Sequence, residues 1–330
     1  MQLIINTYGT YVHVKDDLFE VSLTKNGEKQ KHHFASQKVT SILMSKGAAL
    51  STDAIILAMK NNIDIIVFEY DGMPIGRFWH SKPGSTSKIR KQQLEASLNE
   101  TGVYWIKNWL SSKIENQIEF LKRLKSHRST SAELIQEKID AISSLKIKIR
   151  ELKGTKIDEI DDTLRGLEGT CGRIYFRLLS SLVAERYQFE GRSFRPAKDQ
   201  FNTFLNYAYG VLYSRVEKVL VIAGIDPYVG FMHRDDYNMK SMVFDFIEPY
   251  RSYAEEVVFK LFSAKKVNDS HTDKITNGYS LNAEGKNLLM QSLLHFLDEE
   301  KIRYNGRNQT RFNAMQMNAH QFANQLINKV

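Results

Sequence analysis

The sequence predicts an α+β protein, in which an N-terminal β-rich, sandwich-like domain is followed by a larger α-helical domain. Short runs of Val, Ile, Tyr, Phe and Thr, separated by turn residues, fill residues 1–80. Beyond residue 88, apolar residues recur three and four positions apart, which is the period of an amphipathic helix. Residues 81–88 have the Pro, Gly and Ser content of a linker. We therefore predict domains at 1–80 and 89–330, joined by a linker at 81–88.

The β-rich region contains several predicted strands with short connections. Turn signals at Gly9 and Asn26-Gly27 leave little chain between strands, so consecutive strands are expected to pair antiparallel. Ser51 is expected to cap a helix that runs to about residue 61. No cluster of reactive side chains occurs here, and we interpret the region as one for assembly. The predicted strands are 3–8, 11–14, 18–23, 31–34, 39–43, 63–70 and 75–79.

The region beyond residue 88 is predicted to be helical. Residues 89–124 and 131–152 carry apolar stripes that are typical of two amphipathic helices packed together. A free coiled coil is the alternative, although the pattern breaks at 126–131 after few heptads. Further helices are predicted at 157–186, 199–220, 253–262, 281–300 and 312–326.

The composition is that of an ordinary globular protein, with 42% hydrophobic and 25% charged residues. The single cysteine, Cys171, lies on an apolar helical stripe and is interpreted as a buried hydrophobe, not as a nucleophile. One thiol excludes an internal disulfide and suits the cytoplasm. No apolar run approaches the ~18 residues of a membrane span. No P-loop, dinucleotide fingerprint or zinc-type cysteine cluster is present, so we expect a cytoplasmic protein outside those nucleotide- and zinc-binding classes.

The charge distribution favours a polyanion as partner. The formal net charge is +8, and residues 81–156 hold 16 Lys or Arg against 8 Asp or Glu, so this segment accounts for the whole excess. We interpret it as a surface for a phosphate backbone, with Lys122 and Arg123 among the contacts. A well-solvated helical face is the alternative. Arg192 and Arg195, in a later loop, are also interpreted as phosphate contacts.

Residues 230–251 hold the chemically most distinctive side chains. They include an imidazole, His233, and two carboxylates, Asp245 and Glu248, at positions i and i+3. This spacing places both carboxylates on one face of a helix, and imidazole with carboxylate oxygens suits a divalent cation such as Mg²⁺ or Mn²⁺. The same Asp-x-x-Glu spacing is also a helix-capping pattern, and both interpretations stay open at this point.

Glu168 is the best candidate for a third ligand. It lies between Leu167 and Gly169 in an otherwise apolar helix, where an unpaired carboxylate costs free energy. Arg165 shares its face and could either neutralise Glu168 or hold a phosphate beside it. Gly169 and Gly172 would each cost roughly 1 kcal/mol in a helix relative to Ala. Their presence suggests the close approach of another backbone or of a ligand.

Five motifs follow one another between about residues 160 and 255. They are Glu168-Gly169 with Tyr175-Phe176, Arg192-x-x-Arg195-Pro196, Asn206-Tyr207-x-Tyr209-Gly210, Gly224-x-Asp226-Pro227-x-x-Gly230-Phe231-x-His233 and Asp245-x-x-Glu248-Pro249-x-Arg251. In this order they resemble the CRISPR-associated Cas1 family, the integrase and endonuclease subunit of spacer acquisition. Two positions depart from the family pattern: Glu248 stands where Asp is frequent, and Ala197 stands where a second Pro is frequent.

The resemblance implies an N-terminal β domain used for dimerisation and a catalytic helical domain. Glu168, His233 and Glu248 would then bind Mg²⁺ or Mn²⁺, with Asp245 as an additional catalytic acidic residue. The implied reaction is metal-dependent transesterification, in which a DNA 3′-hydroxyl attacks a phosphodiester at the CRISPR repeat boundary. The implied partners are prespacer and repeat DNA, a second copy of the chain and the small CRISPR-associated protein Cas2.

Arg165 and Arg173 could hold the DNA backbone beside such an ion. Two alternatives stay open. One is a general metal-dependent nuclease or branched-DNA resolvase with the same site, and the other is a non-enzymatic basic DNA-binding protein whose carboxylates are only helix caps. Alanine at Glu168 separates the second from an enzyme, because a pure binding protein would keep all its activity.

Overall fold

The computed structural model describes residues 1–25, 28–61, 63–69, 74–78, 87–233 and 239–327. The chain divides into two compact units, Met1–Pro83 and Gly84–Val330. The first is rich in strands and the second is mostly helical, which confirms the predicted α+β class and the order of its parts. The predicted turn at Asn26-Gly27 and residues 81–86 of the predicted linker lie outside the described residues.

The first unit contains two four-stranded sheets, with strand orders β4-β3-β2-β6 and β1-β5-β7-β8. Val12 and Phe19 from one sheet are buried in a single apolar cluster with Ile42 and Ile65 from the other sheet and Ala54 from α1. This shared core makes the unit sandwich-like. The elements are β1 (Gln2–Ile5), β2 (Tyr11–Lys15), β3 (Leu18–Lys25), β4 (Glu28–Ala35), β5 (Ser41–Ser45), β6 (Ala49–Leu50), α1 (Thr52–Lys60), β7 (Asp64–Phe68) and β8 (Pro74–Phe78).

Strand pairing in this unit is mixed, so the prediction that consecutive strands pair antiparallel is only partly right. The pairs β2–β3, β3–β4 and β7–β8 are antiparallel. The pairs β1–β5, β5–β7 and β2–β6 are parallel. The reason is that β1 and β2 belong to different sheets, and that α1 forms the crossover connection that parallel strands require between β5 and β7. Ser51 caps α1 as predicted, accepting a bond from the Ala54 N–H at 3.2 Å.

The second unit is built from nine helices and two short antiparallel ribbons, as far as the described residues show. Apart from Leu281, the ribbons lie between the helices predicted at 253–262, 281–300 and 312–326. The helices are α2 (Ser87–Ala96), α3 (Glu100–Ser126), α4 (Ala132–Glu151), α5 (Asp161–Ser181), α6 (Gln200–Ala223), α7 (Ser241–Phe246), α8 (Arg251–Ser263), α9 (Ala283–Leu294) and α10 (Arg311–Ile327). The ribbon strands are β9 (Thr272–Ile275), β10 (Gly278–Leu281), β11 (Lys301–Tyr304) and β12 (Arg307–Thr310).

Helix α3 is central to this unit, because it contacts α4, α5, α7, α8 and the 3-10 turn Glu248–Tyr250. Its buried Trp109 stacks on Phe231 with ring centroids 5.9 Å apart, and meets Phe246 and Phe322 edge-on. Because α4 packs against both α3 and α5, the free coiled-coil alternative is wrong. Within the described part of the chain, no helix combines the length and the apolar character needed to cross a membrane.

Candidate active site

A buried lysine joins the two glutamates singled out from the sequence. Lys113 lies on the buried face of α3, and its ammonium forms ion pairs with Glu168 of α5 and with Oε2 of Glu248, the latter at 2.7 Å. The side chains of Lys113 and Glu248 are only 9% and 6% exposed, whereas Glu168 is 33% exposed. Two carboxylates that are far apart in the sequence therefore converge on one positive charge.

Glu248 is held on both of its oxygens. Arg251, at the start of α8, donates from Nε to Glu248 Oε1 at 2.6 Å, while Lys113 binds the other oxygen. Burial opposes ionisation of Glu248, but the charges of Arg251 and Lys113 outweigh it and lower its pKa to about 2. Burial likewise opposes the charged form of Lys113, yet Glu248 and Glu168 raise the lysine pKa above its ordinary value. Glu248 and Lys113 are therefore ionised at neutral pH.

Asp245 organises the loop that carries His233. The fully buried carboxylate accepts bonds from the backbone N–H groups of Phe231, Met232 and His233, at 2.6, 3.1 and 3.2 Å. It also accepts a bond from His233 Nδ1 at 2.6 Å. Because an ionised carboxylate only accepts, Nδ1 is the donor, and in the neutral imidazole Nε2 then carries the lone pair that a ligand could use.

Two other elements hold the same loop. Gln93 of α2 is fully buried and donates to the carbonyls of Asp226 and Val229, both at 2.8 Å. A Cβ at Gly230 would come within 2.5 Å of Ser241 Cβ at the start of α7. Only glycine permits this approach, so α2 and α7 both hold the part of the loop that precedes His233.

Asp245 and Glu248 bind different partners, and the prediction that both face one cavity stays a prediction. The contacts of Asp245 are with residues 231–233, and those of Glu248 are with Lys113 and Arg251. Helix α7 ends at Phe246, and a 3-10 turn begins at Glu248. The capping alternative is wrong, since neither carboxylate caps a helix here.

Arg165 binds the loop that carries His233 and does not bind Glu168. Its Nε donates to Asp161 at 2.7 Å and its Nη2 to the Met232 carbonyl at 2.8 Å. The alternative in which Arg165 neutralises Glu168 is therefore wrong, because Lys113 does so. The Arg165 side chain is still 44% exposed, and a phosphate contact at this position stays a prediction.

The residues predicted to hold a divalent cation are only partly assembled. In the part of the chain that the structure describes, no three His, Cys, Asp or Glu side chains form a group that could hold a metal ion. Glu168 and Glu248 nevertheless share one cation, Lys113, and their oxygens with His233 Nε2 make a donor set suited to Mg²⁺ or Mn²⁺. The chemistry of these residues fits the metal, and metal binding stays a prediction.

Three arginines of α5 and the following loop were predicted to contact DNA. They are exposed, but each already contacts another side chain. Arg192 donates from Nη2 to Asn206 at 2.7 Å and lies over the ring of Tyr209. Arg195 lies over Phe194, which is itself exposed. Arg173 donates to the Thr170 hydroxyl at 2.8 Å. These bonds orient the guanidinium groups, and their contact with DNA stays a prediction.

The two predicted contacts on α3 are paired with acids. Lys122 binds Glu119 at 2.6 Å, and Arg123 binds the mostly buried Glu256 at 2.6 Å. Arg123 therefore helps to hold α8 against α3. Its part in DNA binding is untested.

The glycines beside Glu168 face open space. A Cβ at Gly172 would meet nothing within 4 Å, and a Cβ at Gly169 would meet only Arg173, at 3.8 Å. No backbone in the described residues approaches them, so that alternative is wrong. The approach of a ligand is the interpretation that remains.

Lys113 was not predicted as a residue of the site, and Arg251 was given no role. A signal for Lys113 was present, because it follows Trp109 by four positions and precedes Ile114 in an otherwise apolar stripe. A lysine at a core position needs an acidic partner. Arg251 follows Glu248 by three positions, which is the spacing of a helical ion pair.

Comparison with known proteins gives one consistent result. A profile of the family described as CRISPR associated protein Cas1 matches residues 3–294. The CRISPR-associated endonuclease Cas1 1 of Archaeoglobus fulgidus is 31% identical over 319 residues, covering 93% of this chain and 91% of that protein.

Solved structures share the fold. A casposase bound to an integration product superposes with a TM-score of 0.85 at 22% identity, covering 100% of this chain and 91% of the casposase chain. A Cas6-RT-Cas1–Cas2 complex contains a chain that superposes with a TM-score of 0.78 at 19% identity, covering 100% of this chain and 35% of that longer one. From the profile match and the relative at 31% identity, the chain belongs to the CRISPR-associated protein Cas1 family.

Proposed function

We propose that this chain is a metal-dependent DNA integrase and endonuclease that inserts spacer DNA into a CRISPR array. The reaction is attack of a DNA 3′-hydroxyl on a phosphodiester at the repeat boundary. The observation that carries the proposal is the convergence of Glu168 and Glu248 on one buried cation, next to a loop that fixes His233. Family membership and the likeness to a casposase bound to an integration product support it.

In this proposal Glu168, Glu248 and Nε2 of His233 hold Mg²⁺ or Mn²⁺. When bound, the ion supplies Lewis acidity at the phosphodiester. Asp245 keeps the imidazole in the tautomer that leaves Nε2 free, and Arg251 restrains the Glu248 carboxylate. The side chains therefore enter the reaction already oriented.

No protein nucleophile is required, because the attacking group is the DNA 3′-hydroxyl. The only cysteine agrees with this: Cys171 is buried, and burial raises its thiol pKa to about 11. The thiol is therefore neutral and inert at physiological pH.

The proposed partners are prespacer and repeat DNA, a second copy of this chain that docks through residues 1–80, and the small protein Cas2. Support for DNA and Cas2 comes from the casposase bound to an integration product and from the Cas6-RT-Cas1–Cas2 complex, which share the fold. The net charge of +8 suits a polyanionic substrate.

Strand transfer into a supercoiled plasmid that carries a CRISPR repeat tests the proposal. With labelled DNA ending in a 3′-hydroxyl and Mn²⁺ present, we expect joined product from the wild type and at least ~10²-fold less from Glu168→Gln, given the usual weight of electrostatic stabilisation in such sites. Glu137→Gln is the matched control, because Glu137 is an exposed glutamate of α4.

Two outcomes would favour the rival functions. DNA binding without joined product from either the wild type or Glu168→Gln would indicate a binding protein whose carboxylates have no chemical role. Plasmid nicking that is unaffected when the donor ends in a dideoxynucleotide, without any joined product, would indicate a hydrolytic nuclease.

A further inference from the structure

The ammonium of Lys113, a side chain of the protein itself, neutralises charge on the carboxylate pair Glu168 and Glu248. The ammonium binds Glu168 and Glu248, and Arg251 binds the second oxygen of Glu248. Two carboxylates thus face two cations, and this part of the site is electrically balanced. Lys113 and Glu248 are more than nine-tenths buried, so solvent screens their interaction little.

A divalent ion held by both carboxylates would lie close to the Lys113 ammonium, because both oxygens of Glu248 and one oxygen of Glu168 are already bound to cations. It would also add two positive charges to a group that is already neutral. Repulsion between cations a few ångströms apart is large where solvent is excluded. The ammonium and the metal ion are therefore competitors for one position.

We propose that Lys113 is an internal cation that occupies the carboxylate pair in place of the metal ion, and that metal binding displaces its ammonium from Glu168. This inference rests on the proposed function, because it assumes that the pair binds a divalent ion. Its consequence is that Lys113 holds Glu168 and Glu248 together before the metal arrives and weakens metal binding.

The exchange is expected on the Glu168 side. Glu168 is 33% exposed, whereas Glu248 is 6% exposed and is also held by Arg251. The lysine side chain has four rotatable bonds and ends in a compact point charge, so its ammonium can move away without a change in α3. The open space beside Gly172 leaves the neighbouring surface of α5 accessible to a ligand.

A bound DNA phosphate would offset the surplus positive charge that the metal introduces. Metal and DNA should therefore bind cooperatively, and each should raise the affinity for the other by the same factor. The coupling should be smaller once the Lys113 charge is removed.

Mn²⁺ binding to the full chain, followed by electron paramagnetic resonance of the free ion, tests the inference. Lys113→Met keeps an unbranched apolar chain without the charge. We expect this variant to bind Mn²⁺ at least about tenfold more tightly than the wild type, since an opposing charge is removed. In EDTA it should unfold at a lower temperature than the wild type, and Mn²⁺ should raise its melting temperature by more.

Lys107→Met is the matched control. Lys107 lies on the same helix and is partly buried, but its ammonium donates to the Leu152 carbonyl at 2.6 Å and not to a carboxylate. Its Mn²⁺ affinity should equal that of the wild type. Lys113→Arg retains the charge and should show no gain in affinity.

Equal or weaker Mn²⁺ binding by Lys113→Met, with binding by the wild type intact, would overturn this inference alone. Absence of Mn²⁺ binding by both proteins would overturn the proposed metal site and the inference with it. A Lys113→Met protein that folds only when Mn²⁺ is present supports the inference, because the metal then replaces the lost charge. A protein that folds in neither condition contradicts it.

Discussion

The carboxylate of Glu248 remains ionised in a buried position because Lys113 and Arg251 bind its two oxygens. Its folded-state pKa of about 2 lies below the ordinary 4.5. A depressed carboxyl pKa stabilises the fold above the unfolded-state value, and this stabilisation disappears as the pH falls through the folded-state value. The ion pairs of Glu248 should therefore lose their effect between about pH 4.5 and pH 2.

Glu248→Gln should lower the free energy of unfolding by about 3–5 kcal/mol at pH 7, because it leaves two buried cations short of a partner. The difference from the wild type should shrink as the pH falls from 4.5 towards 2. Urea unfolding at several pH values measures both quantities, with Glu137→Gln as the exposed control. A difference that stays constant down to pH 2.5 would show that Glu248 is not the group responsible.

At the scale of elements, helix α3 packs against α5, α7 and the 3-10 turn that begins at Glu248, which carry the acidic residues of the site. Trp109 contacts Phe231 in the His233 loop, Phe246 in α7 and Phe322 in α10. The same helix carries Lys113 one turn later. A change in the packing of α3 should therefore move both the carboxylate pair and the imidazole.

Trp109→Ala should destabilise the protein by about 3–5 kcal/mol, the usual cost of truncating a buried aromatic residue. It should also reduce strand transfer at temperatures where the variant is still folded, because the His233 loop loses its stacking partner. Tyr104→Ala on the same helix is the control, since Tyr104 is 60% exposed, and should change stability by about 0.5 kcal/mol or less. Chemical denaturation and circular dichroism supply the measurement. A small effect at Trp109 would mean that Gln93, Asp245 and Arg165 hold the loop without the stacking contact.

Local patterns predicted the elements well and their long-range pairing poorly. The apolar stripe of α3 and the cap at Ser51 depend on neighbours in the sequence, and both are visible there. The parallel pairing of β1 with β5 depends on distant residues, and turn length gives no information about it. Lys113 was missed for the same reason, because both of its partners lie on other elements. The family motifs singled out the acidic residues and His233, and the structure brings Glu168 and Glu248 together on Lys113. They did not reveal that Asp245 binds the loop of His233.

At the scale of the whole molecule, the excess of positive charge in residues 81–156 is only partly free for DNA. Arg123 is bound to Glu256, and Arg128 donates to the Leu182 carbonyl and to Ser263. Substituting these arginines would therefore weaken helix packing together with any DNA contact. Better probes are cations that make no internal contact.

Lys148 and Lys153, near the end of α4, are exposed and form no side-chain hydrogen bond or ion pair within the described residues. If they contact phosphates, changing both to Gln should weaken duplex binding and reduce the slope of log K against log salt by up to ~1.8, at roughly 0.9 per phosphate. The melting temperature should stay the same. Fluorescence anisotropy at several salt concentrations provides the slope. An unaltered slope would mean that these lysines form a solvated face and that DNA is held elsewhere.

In the proposed function, Glu168, Glu248 and His233 hold one divalent cation. The most direct measurement is an anomalous difference map from crystals of the protein grown with Mn²⁺ and DNA that ends in a 3′-hydroxyl. We expect a single strong peak at bonding distance from the two carboxylates and from Nε2 of His233. The Lys113 ammonium should no longer be bound to Glu168. A map with Lys113 still between the carboxylates and Mn²⁺ bound elsewhere, while the crystals contain joined DNA, would contradict it.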